Sequence, residues 1–161
     1  MNFQNREIDI LCVGETLIDF IGQQPGASLE NTLDFHRFLG GSPTNVAVNS
    51  SRLGLKTALI ATVGSDGFGT FIIKRLEEEG VETNYLKTQT NSRTSVIFVS
   101  RTEGTPEFVP FRAADFQIDE DQIHKRTLLN SKVFHTTCFA LSRDPARTTI
   151  LKKAQEAFES G

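Results

Sequence analysis

The sequence has no tryptophan and only two cysteines among its 161 residues, Cys12 and Cys138. The three histidines, His36, His124 and His135, are far apart in the sequence, so we assign no metal to protein ligands. Each lies in an apolar segment typical of a buried strand or its end, and we expect both to be small core residues. A catalytic or metal-binding cysteine is the less favoured interpretation.

Basic charge and long apolar runs are also scarce. The formal net charge is −3, and the 17 lysines and arginines are scattered, which argues against nucleic-acid binding as the main function. No apolar run approaches the length of a membrane span, and the first residues lack the apolar stretch of a signal peptide. We therefore expect a cytoplasmic protein with neither a nucleic-acid nor a membrane partner. The hydrophobic content of 38% is sufficient for one domain with a buried core.

The stretch Gly40-Gly41-Ser42-Pro43-Thr44-Asn45 is the most informative in the chain. Two adjacent glycines allow positive φ and let a ligand approach the backbone. Ser42 as N-cap and Pro43 as first helical residue predict a helix directly behind them, which Gly54 would end. Free N–H groups of its first turn, with the Asn45 amide, suit a polyhydroxyl or anionic ligand. An ordinary strand-to-helix connection is the alternative, and local chemistry does not decide between the two.

Short apolar runs and helical patterns follow one another along the chain, and the run over 8–13 is typical of a strand buried on both faces of a sheet. A β-hairpin with a Gly-containing loop is expected within residues 95–111. The other predicted elements are strands over 8–13, 56–63 and 131–139, a partly exposed strand over 33–39, and helices over 68–79 and 142–160.

Two further polar residues are candidates for contact with a ligand. Asp19 lies a few residues beyond the first predicted strand, where open α/β sheets bind their ligands, although it could instead satisfy a local turn. Arg112 ends the predicted hairpin and offers a guanidinium that can reach an anion or a hydroxyl. A solvated surface arginine is the alternative for Arg112.

Several motifs together resemble the amino-terminal half of a ribokinase-type (PfkB) carbohydrate kinase, and the resemblance covers nearly all of the chain. The variant Gly-Gly-Ser-Pro-x-Asn, with Phe111-Arg112-Ala113-Ala114-Asp115 later, is most similar to fructokinases and to kinases of 2-keto-deoxy sugar acids. The motifs are Val13-Gly14 with Asp19, the glycine stretch at 40–45, Arg52-Leu53-Gly54, and Val63-Gly64-Ser65-Asp66-Gly67-Phe68-Gly69.

The resemblance implies a three-layer α/β/α, Rossmann-like (ribokinase-like) fold with a small β-lid. Residues 1–161 would form the amino-terminal part of a single kinase domain, with lid segments at about 19–39 and 93–112, and the carboxyl-terminal half is absent from this chain. The lid is also a candidate interface for a homodimer.

The activity that the resemblance implies is ATP-dependent transfer of a phosphoryl group, with Mg²⁺, to a primary hydroxyl of a ketose or keto-deoxy sugar acid. The residues that match the family's sugar contacts are Asp19, Gly40, Gly41, Asn45 and Arg112. The family's base and anion hole come from a Gly-Ala-Gly-Asp motif in the second half, which this chain lacks. We therefore assign no catalytic residue, and we expect the 161-residue segment alone to be inactive.

Two other functions are alternatives to a kinase. A non-catalytic sugar-binding or lid-dimerisation module would use the same glycine turn without the second half. A dinucleotide-binding Rossmann protein is disfavoured, because the turn after the first predicted strand lacks the Gly-x-Gly-x-x-Gly pattern.

Overall fold

Eight strands and four helices form the core of the computed structural model, which describes residues 5–160. The strands are β1 (Ile8–Val13), β2 (Leu17–Gly22), β3 (Phe35–Gly40), β4 (Thr57–Gly64), β5 (Leu86–Gln89), β6 (Val96–Val99), β7 (Phe108–Phe111) and β8 (Ser131–His135). The helices are α1 (Ser42–Arg52), α2 (Gly67–Glu78), α3 (Lys125–Leu129) and α4 (Ala146–Glu159).

The first sheet, called the parallel sheet below, has the strand order β5-β4-β1-β8, with every neighbouring pair parallel. Helices cover both of its faces, because successive residues of its continuous apolar strands point to opposite sides. Leu11 and Ile60 pack on the side of α3 and α4. Cys12 and Leu59 pack on the side of α1 and α2. The three-layer α/β/α arrangement predicted from the sequence is confirmed.

The second sheet, called the mixed sheet below, has the strand order β3-β2-β6-β7. β2 pairs antiparallel with β3 and parallel with β6, and β7 completes the predicted hairpin with β6. Stacked and edge-to-face phenylalanine rings hold this small sheet together, with Phe20 and Phe98 at 5.2 Å between centroids. The sheet stands beyond the carboxyl ends of β1 and β4.

The predicted strand over 131–139 is too long, since β8 ends at His135. Cys138 follows the strand and is exposed, so the expectation that it is a core residue is wrong. The apolar run continues past the strand because Ala140, at the start of a 3₁₀ turn, packs into the core of the parallel sheet. Cys12 is a core residue as predicted, and burial raises the pKa of its thiol to about 12.

Helix α1 begins one residue earlier than predicted, with Gly41 rather than Ser42 at the N-cap. Helix α4 begins at Ala146 instead of 142, because residues 140–142 form a separate 3₁₀ turn. Strand β5 was not predicted, since its Leu-Lys-Thr-Gln sequence has no apolar pattern. Within residues 5–160, none of the helices combines the length and the apolar character of a membrane span.

Candidate functional site

The carboxyl end of β1, the start of α1 and the segment after β8 meet at Gly14. A Cβ atom on Gly14 would lie 2.7 Å from Cγ of Pro43 and 2.8 Å from Cβ of Ala140. Only a glycine therefore lets these three segments approach so closely. Their meeting point is the carboxyl edge of the parallel sheet, where open α/β sheets bind ligands.

Gly40 and Gly41 are required for different reasons. A Cβ on Gly40 would lie 2.3 Å from Oδ2 of Asp19, so the missing side chain makes room for that carboxylate. Gly41 has a φ of 106°, and a Cβ there would lie 2.3 Å from the carbonyl oxygen of Glu15. The prediction of positive φ is thus confirmed for Gly41 but not for Gly40, which ends strand β3.

Asp19 lies in β2 of the mixed sheet, paired with Phe38 of β3 and Ile97 of β6. Within residues 5–160 its carboxylate has neither a hydrogen-bond donor nor an ion-pair partner. Burial raises the pKa of Asp19, because water is partly excluded from the charged form. Asp19 does not satisfy a local turn, so a partly buried acceptor is available for a ligand.

Asn45 lies in the first turn of α1, where its backbone N–H donates to the Gly41 carbonyl at 2.9 Å. Its side chain is exposed and makes no hydrogen bond within the part of the chain that the structure describes. The structure thus leaves the Asn45 amide free. The expectation of a free N–H at the start of the helix is wrong for Ser42, whose N–H donates to Oε1 of Glu15 at 2.9 Å.

Arg112 is buried, so the alternative of a solvated surface arginine is wrong. Its side chain is 4% exposed and that of Asp115 is fully buried. Nε of Arg112 donates to Oδ2 of Asp115 at 2.7 Å, and Nη1 donates to the Ser142 hydroxyl. Nη2 lies 2.6 Å from the same Asp115 oxygen without the alignment of a hydrogen bond. The guanidinium is therefore held in place, with one nitrogen not fully used.

Asp115 is satisfied on its other side by Ser95. The Ser95 hydroxyl donates to Oδ1 of Asp115 and accepts the Ala113 N–H at 2.8 Å. The cluster therefore joins β6 to the segment that follows β7.

Glu15 is a buried carboxyl that the sequence did not single out. It is 1% exposed, and burial raises its pKa, with Asp115 adding to the rise and Arg112 opposing it. Polar atoms without a partner among residues 5–160 surround the same edge of the sheet: Glu15 Oε2, Thr16 Oγ1, His135 Nε2 and Thr136 Oγ1. Such a concentration of unsatisfied buried polar atoms is typical of a site that a ligand completes.

A large cavity lies on the other face of the mixed sheet. Its volume is about 810 Å³, and Val96, Phe98 and Phe111 line it together with Arg37 and the start of α2. Phe98 of β6 pairs with Phe20 of the neighbouring strand β2, so their side chains lie on the same face of the sheet. Successive residues along a strand point to opposite faces. The cavity is thus on the Phe20 face, whereas Asp19 points to the opposite one.

The described residues do not form a binding site for the phosphates of a nucleoside triphosphate. A helix N-terminus binds phosphate through free N–H groups. At the N-termini of α1, α2 and α4, a carboxylate of this chain already accepts one or two of these N–H groups. Glu15 accepts from Ser42 at α1, Asp66 accepts from Phe68 and Gly69 at α2, and Asp144 accepts from Thr148 at α4. Among residues 5–160, no group of three histidine, cysteine or acidic side chains could hold a metal ion.

A family model described as pfkB family carbohydrate kinase matches residues 7–161. The chain belongs to the pfkB family of carbohydrate kinases. The predicted resemblance is therefore confirmed. The structure of the chain is similar to that of a fructokinase from Halothermothrix orenii, with a TM-score of 0.90 and 39% identity over 96% of this chain and 55% of that one.

Two other similarities bear on function. An ATP-dependent 6-phosphofructokinase from Thermoanaerobacterium thermosaccharolyticum is 34% identical over 92% of this chain and 45% of its own length. A sugar kinase from Pyrococcus horikoshii, solved in complex with ATP, has a TM-score of 0.87 and 33% identity over 91% of this chain and 49% of that one. The chain spans about half the length of the curated relatives it matches.

Proposed function

We propose that this chain supplies the sugar site of an ATP-dependent kinase that phosphorylates a primary hydroxyl of a ketose or keto-deoxy sugar acid. The observation that carries the proposal is the carboxylate of Asp19, which is partly buried beside the Gly40–Gly41 turn and has no partner among the described residues. A sugar presents several hydroxyl donors, and a carboxylate with free lone pairs accepts them.

The remaining contacts follow from the same surface. Gly40 and Gly41 provide backbone that a sugar can approach, Asn45 offers a free amide, and Arg112 offers Nη2. The fructokinase among the solved neighbours and the 6-phosphofructokinase among the relatives support an acceptor of the fructose type. The mixed sheet, within residues 19–39 and 93–112, would be the lid over this acceptor, in a single domain of which residues 1–161 are the amino-terminal part.

ATP and Mg²⁺ enter the proposal through the ATP-bound neighbour and the family. When bound, they supply the phosphoryl group and neutralise its charge. Since the described residues do not fit the triphosphate, we place the nucleotide, the base and the anion hole outside this chain. The residues here bind and orient the acceptor hydroxyl. The cytoplasm is the proposed location.

Isothermal titration of the 161-residue chain with fructose, fructose 6-phosphate and 2-keto-3-deoxygluconate tests the proposal. We expect one of them to bind, and Asp19→Asn to weaken that binding by about one to two decades. Asp34→Asn is the matched control, because Asp34 lies just before β3, is exposed and already accepts from Gln24. No binding by any of the three, or equal losses in the two variants, would contradict the proposal.

A coupled ADP-release assay on the same chain addresses catalysis. We expect no sugar-dependent ADP release from residues 1–161, because this chain has no Gly-Ala-Gly-Asp motif. Turnover at ordinary enzyme rates would show that the catalytic groups lie within this chain.

A homodimer through the mixed sheet is the proposed assembly. Phe38, Phe108 and Phe111 are 46%, 51% and 60% exposed, and β3 and β7 are unpaired sheet edges within the described chain. Sedimentation velocity should show a dimer that Phe111→Ser weakens. Leu151→Ser, at a 49% exposed position on α4, should leave the dimer unchanged.

A further inference from the structure

The start of helix α1 has no cap of its own. Gly41 occupies the N-cap position and has no side chain to accept the first free N–H groups. Instead Oε1 of Glu15, 27 residues away in the sequence, accepts the N–H of Ser42 at 2.9 Å. A carboxyl from the loop after β1 therefore caps α1 from outside the helix, where the helix dipole also favours a negative charge.

The backbone of Glu15 holds the same turn a second time. Its carbonyl accepts the Thr44 hydroxyl at 3.0 Å. The same carbonyl lies so close to Gly41 that a Cβ there would be only 2.3 Å away. Glu15 thus contacts the glycine turn twice, through its side chain at Ser42 and through its main chain at Thr44.

The position of the Glu15 carboxyl is costly, which implies a function for it. The residue is 1% exposed, and Oε2 has no hydrogen-bond partner among residues 5–160. A buried carboxyl with one unsatisfied oxygen lowers the stability of the fold. Such a residue is retained when another contact that it makes serves a function. The Thr137 hydroxyl reaches Oε1 only at 3.5 Å, so the shorter side-chain contact of Glu15 is the one to Ser42, in the turn that lies against Asp19.

We propose that Glu15 is a positioning residue for the acceptor site, holding the Gly40–Gly41 turn in its ligand-binding geometry by capping α1. The reference to an acceptor rests on the proposed function, whereas the capping of α1 does not. Glu15 acts through Ser42 and Thr44. The glycine turn that they hold then fixes the spacing between Asp19 and the Asn45 amide.

Three variants of the 161-residue chain test the proposal. Glu15→Met keeps the volume but removes the acceptor, and Glu15→Gln keeps an oxygen for Ser42. Thr62→Val is the control, because Thr62 is fully buried and loses hydrogen bonds to Gln117 and Gln122 on another part of the fold. Hydrogen exchange of the Ser42 amide reports the cap, and titration with the best-binding sugar reports the site.

We expect Glu15→Met to lower the protection of the Ser42 amide and the sugar affinity by about tenfold to a hundredfold each. Glu15→Gln should restore both to within a few-fold of the parent, and Thr62→Val should change neither. Unchanged Ser42 protection in Glu15→Met, failure of Glu15→Gln to rescue, or an equal loss in Thr62→Val overturns the proposal.

Two other results of these experiments also decide the proposal. If Glu15→Met does not fold, Thr44→Val removes the second contact alone, and it must then lower Ser42 protection or the proposal is wrong. If the parent chain binds no sugar, the proposed function fails, while Ser42 exchange in the parent and the variants still decides whether Glu15 caps α1.

Discussion

The two sheets have the same number of strands and opposite relations to solvent. All eight residues of β4, in the middle of the parallel sheet, are buried, whereas all four residues of β7, at an edge of the mixed sheet, are exposed. Helices cover both faces of the parallel sheet, and within the described chain nothing comparable covers the mixed sheet. Apolar residues therefore stabilise the parallel sheet through burial, whereas on the edge strands of the mixed sheet Phe38, Phe108 and Phe111 are exposed and available for binding.

The largest expected loss of stability comes from a buried residue next to an exposed strand of the mixed sheet, against the general contrast between the two sheets. Arg112 follows β7, yet Arg112→Met should lower the free energy of unfolding by about 3–5 kcal/mol, because it leaves the Asp115 carboxylate buried without its charge partner. The sequence alone favoured a change in selectivity over one in stability. Urea unfolding measures the effect.

The control for Arg112 is an exposed ion pair. Arg52 pairs with Glu79 at 2.7 Å with 58% of its side chain exposed, and Arg52→Met should lower the free energy of unfolding far less than Arg112→Met does, because water screens an exposed pair. Similar costs for the two arginines would show that burial of the Arg112–Asp115 pair has no energetic consequence.

The next effect sharpens the comparison. Ile60 of β4 is fully buried, and Ile60→Ala should cost about 2–5 kcal/mol through lost burial and the cavity that remains. Val109 of β7 is 42% exposed, and Val109→Ala should change the free energy of unfolding by about 0.5 kcal/mol or less. Equal losses in urea unfolding would contradict the contrast between the two sheets.

Asp19 should separate binding from stability. Its pKa is raised by burial, so the folded state holds the proton more firmly than the unfolded state does. Ionised Asp19 therefore costs stability at neutral pH, and that cost disappears as the pH falls below its ordinary pKa of 3.8. We expect Asp19→Asn to unfold at the same or a higher urea concentration than the parent at pH 7. A clearly lower midpoint would assign Asp19 a structural role.

A moderate effect is expected at the joint between the two sheets. Asp66 caps α2 and also accepts the backbone N–H and the hydroxyl of Thr94, both at 2.8 Å. Although burial opposes the shift, these hydrogen bonds and those from Gly69 and Phe68 lower its pKa. Asp66→Ala should cost about 0.5–2 kcal/mol near neutral pH.

The stabilisation from Asp66 has a defined pH dependence. Because its pKa is lowered in the folded state, the contribution is present above the ordinary value of 3.8 and is lost as the pH falls through the folded value. Unfolding of the parent and Asp66→Ala should therefore converge in acid. A difference that persists unchanged at low pH would contradict this.

Local pattern predicts three of the four strands of the parallel sheet, β1, β4 and β8. The run over 8–13 is apolar except for Asp9, and β1 has those bounds. β5 escaped prediction because its four residues are short and polar, and only pairing with β4 makes them a strand. Elements with their own apolar pattern can be predicted from sequence, whereas those that depend on a partner strand cannot.

The site shows the same division. Asp19, Gly40, Gly41 and Asn45 carry a motif and were predicted as contacts. Glu15 was missed although it directly follows Gly14 at the end of β1, because its role depends on a hydrogen bond to Ser42 across 27 residues. The burial of Arg112 likewise depends on Ser142, 30 residues further along.

The chain passes between the two sheets four times, and each passage is at the same end of the mixed sheet. Contacts of Glu15, Asp66 and Ser95 fasten these passages, whereas the opposite end carries the turns at Gly26 and Gly104, joined by a hydrogen bond from Gly26 to Arg101. The mixed sheet is thus a cantilever, fixed at its base and unsupported at its tip within the described chain. Any tilt on ligand binding is smallest at Ala113 and grows toward the far turns. A fluorophore near Glu103 would register that tilt with the greatest leverage.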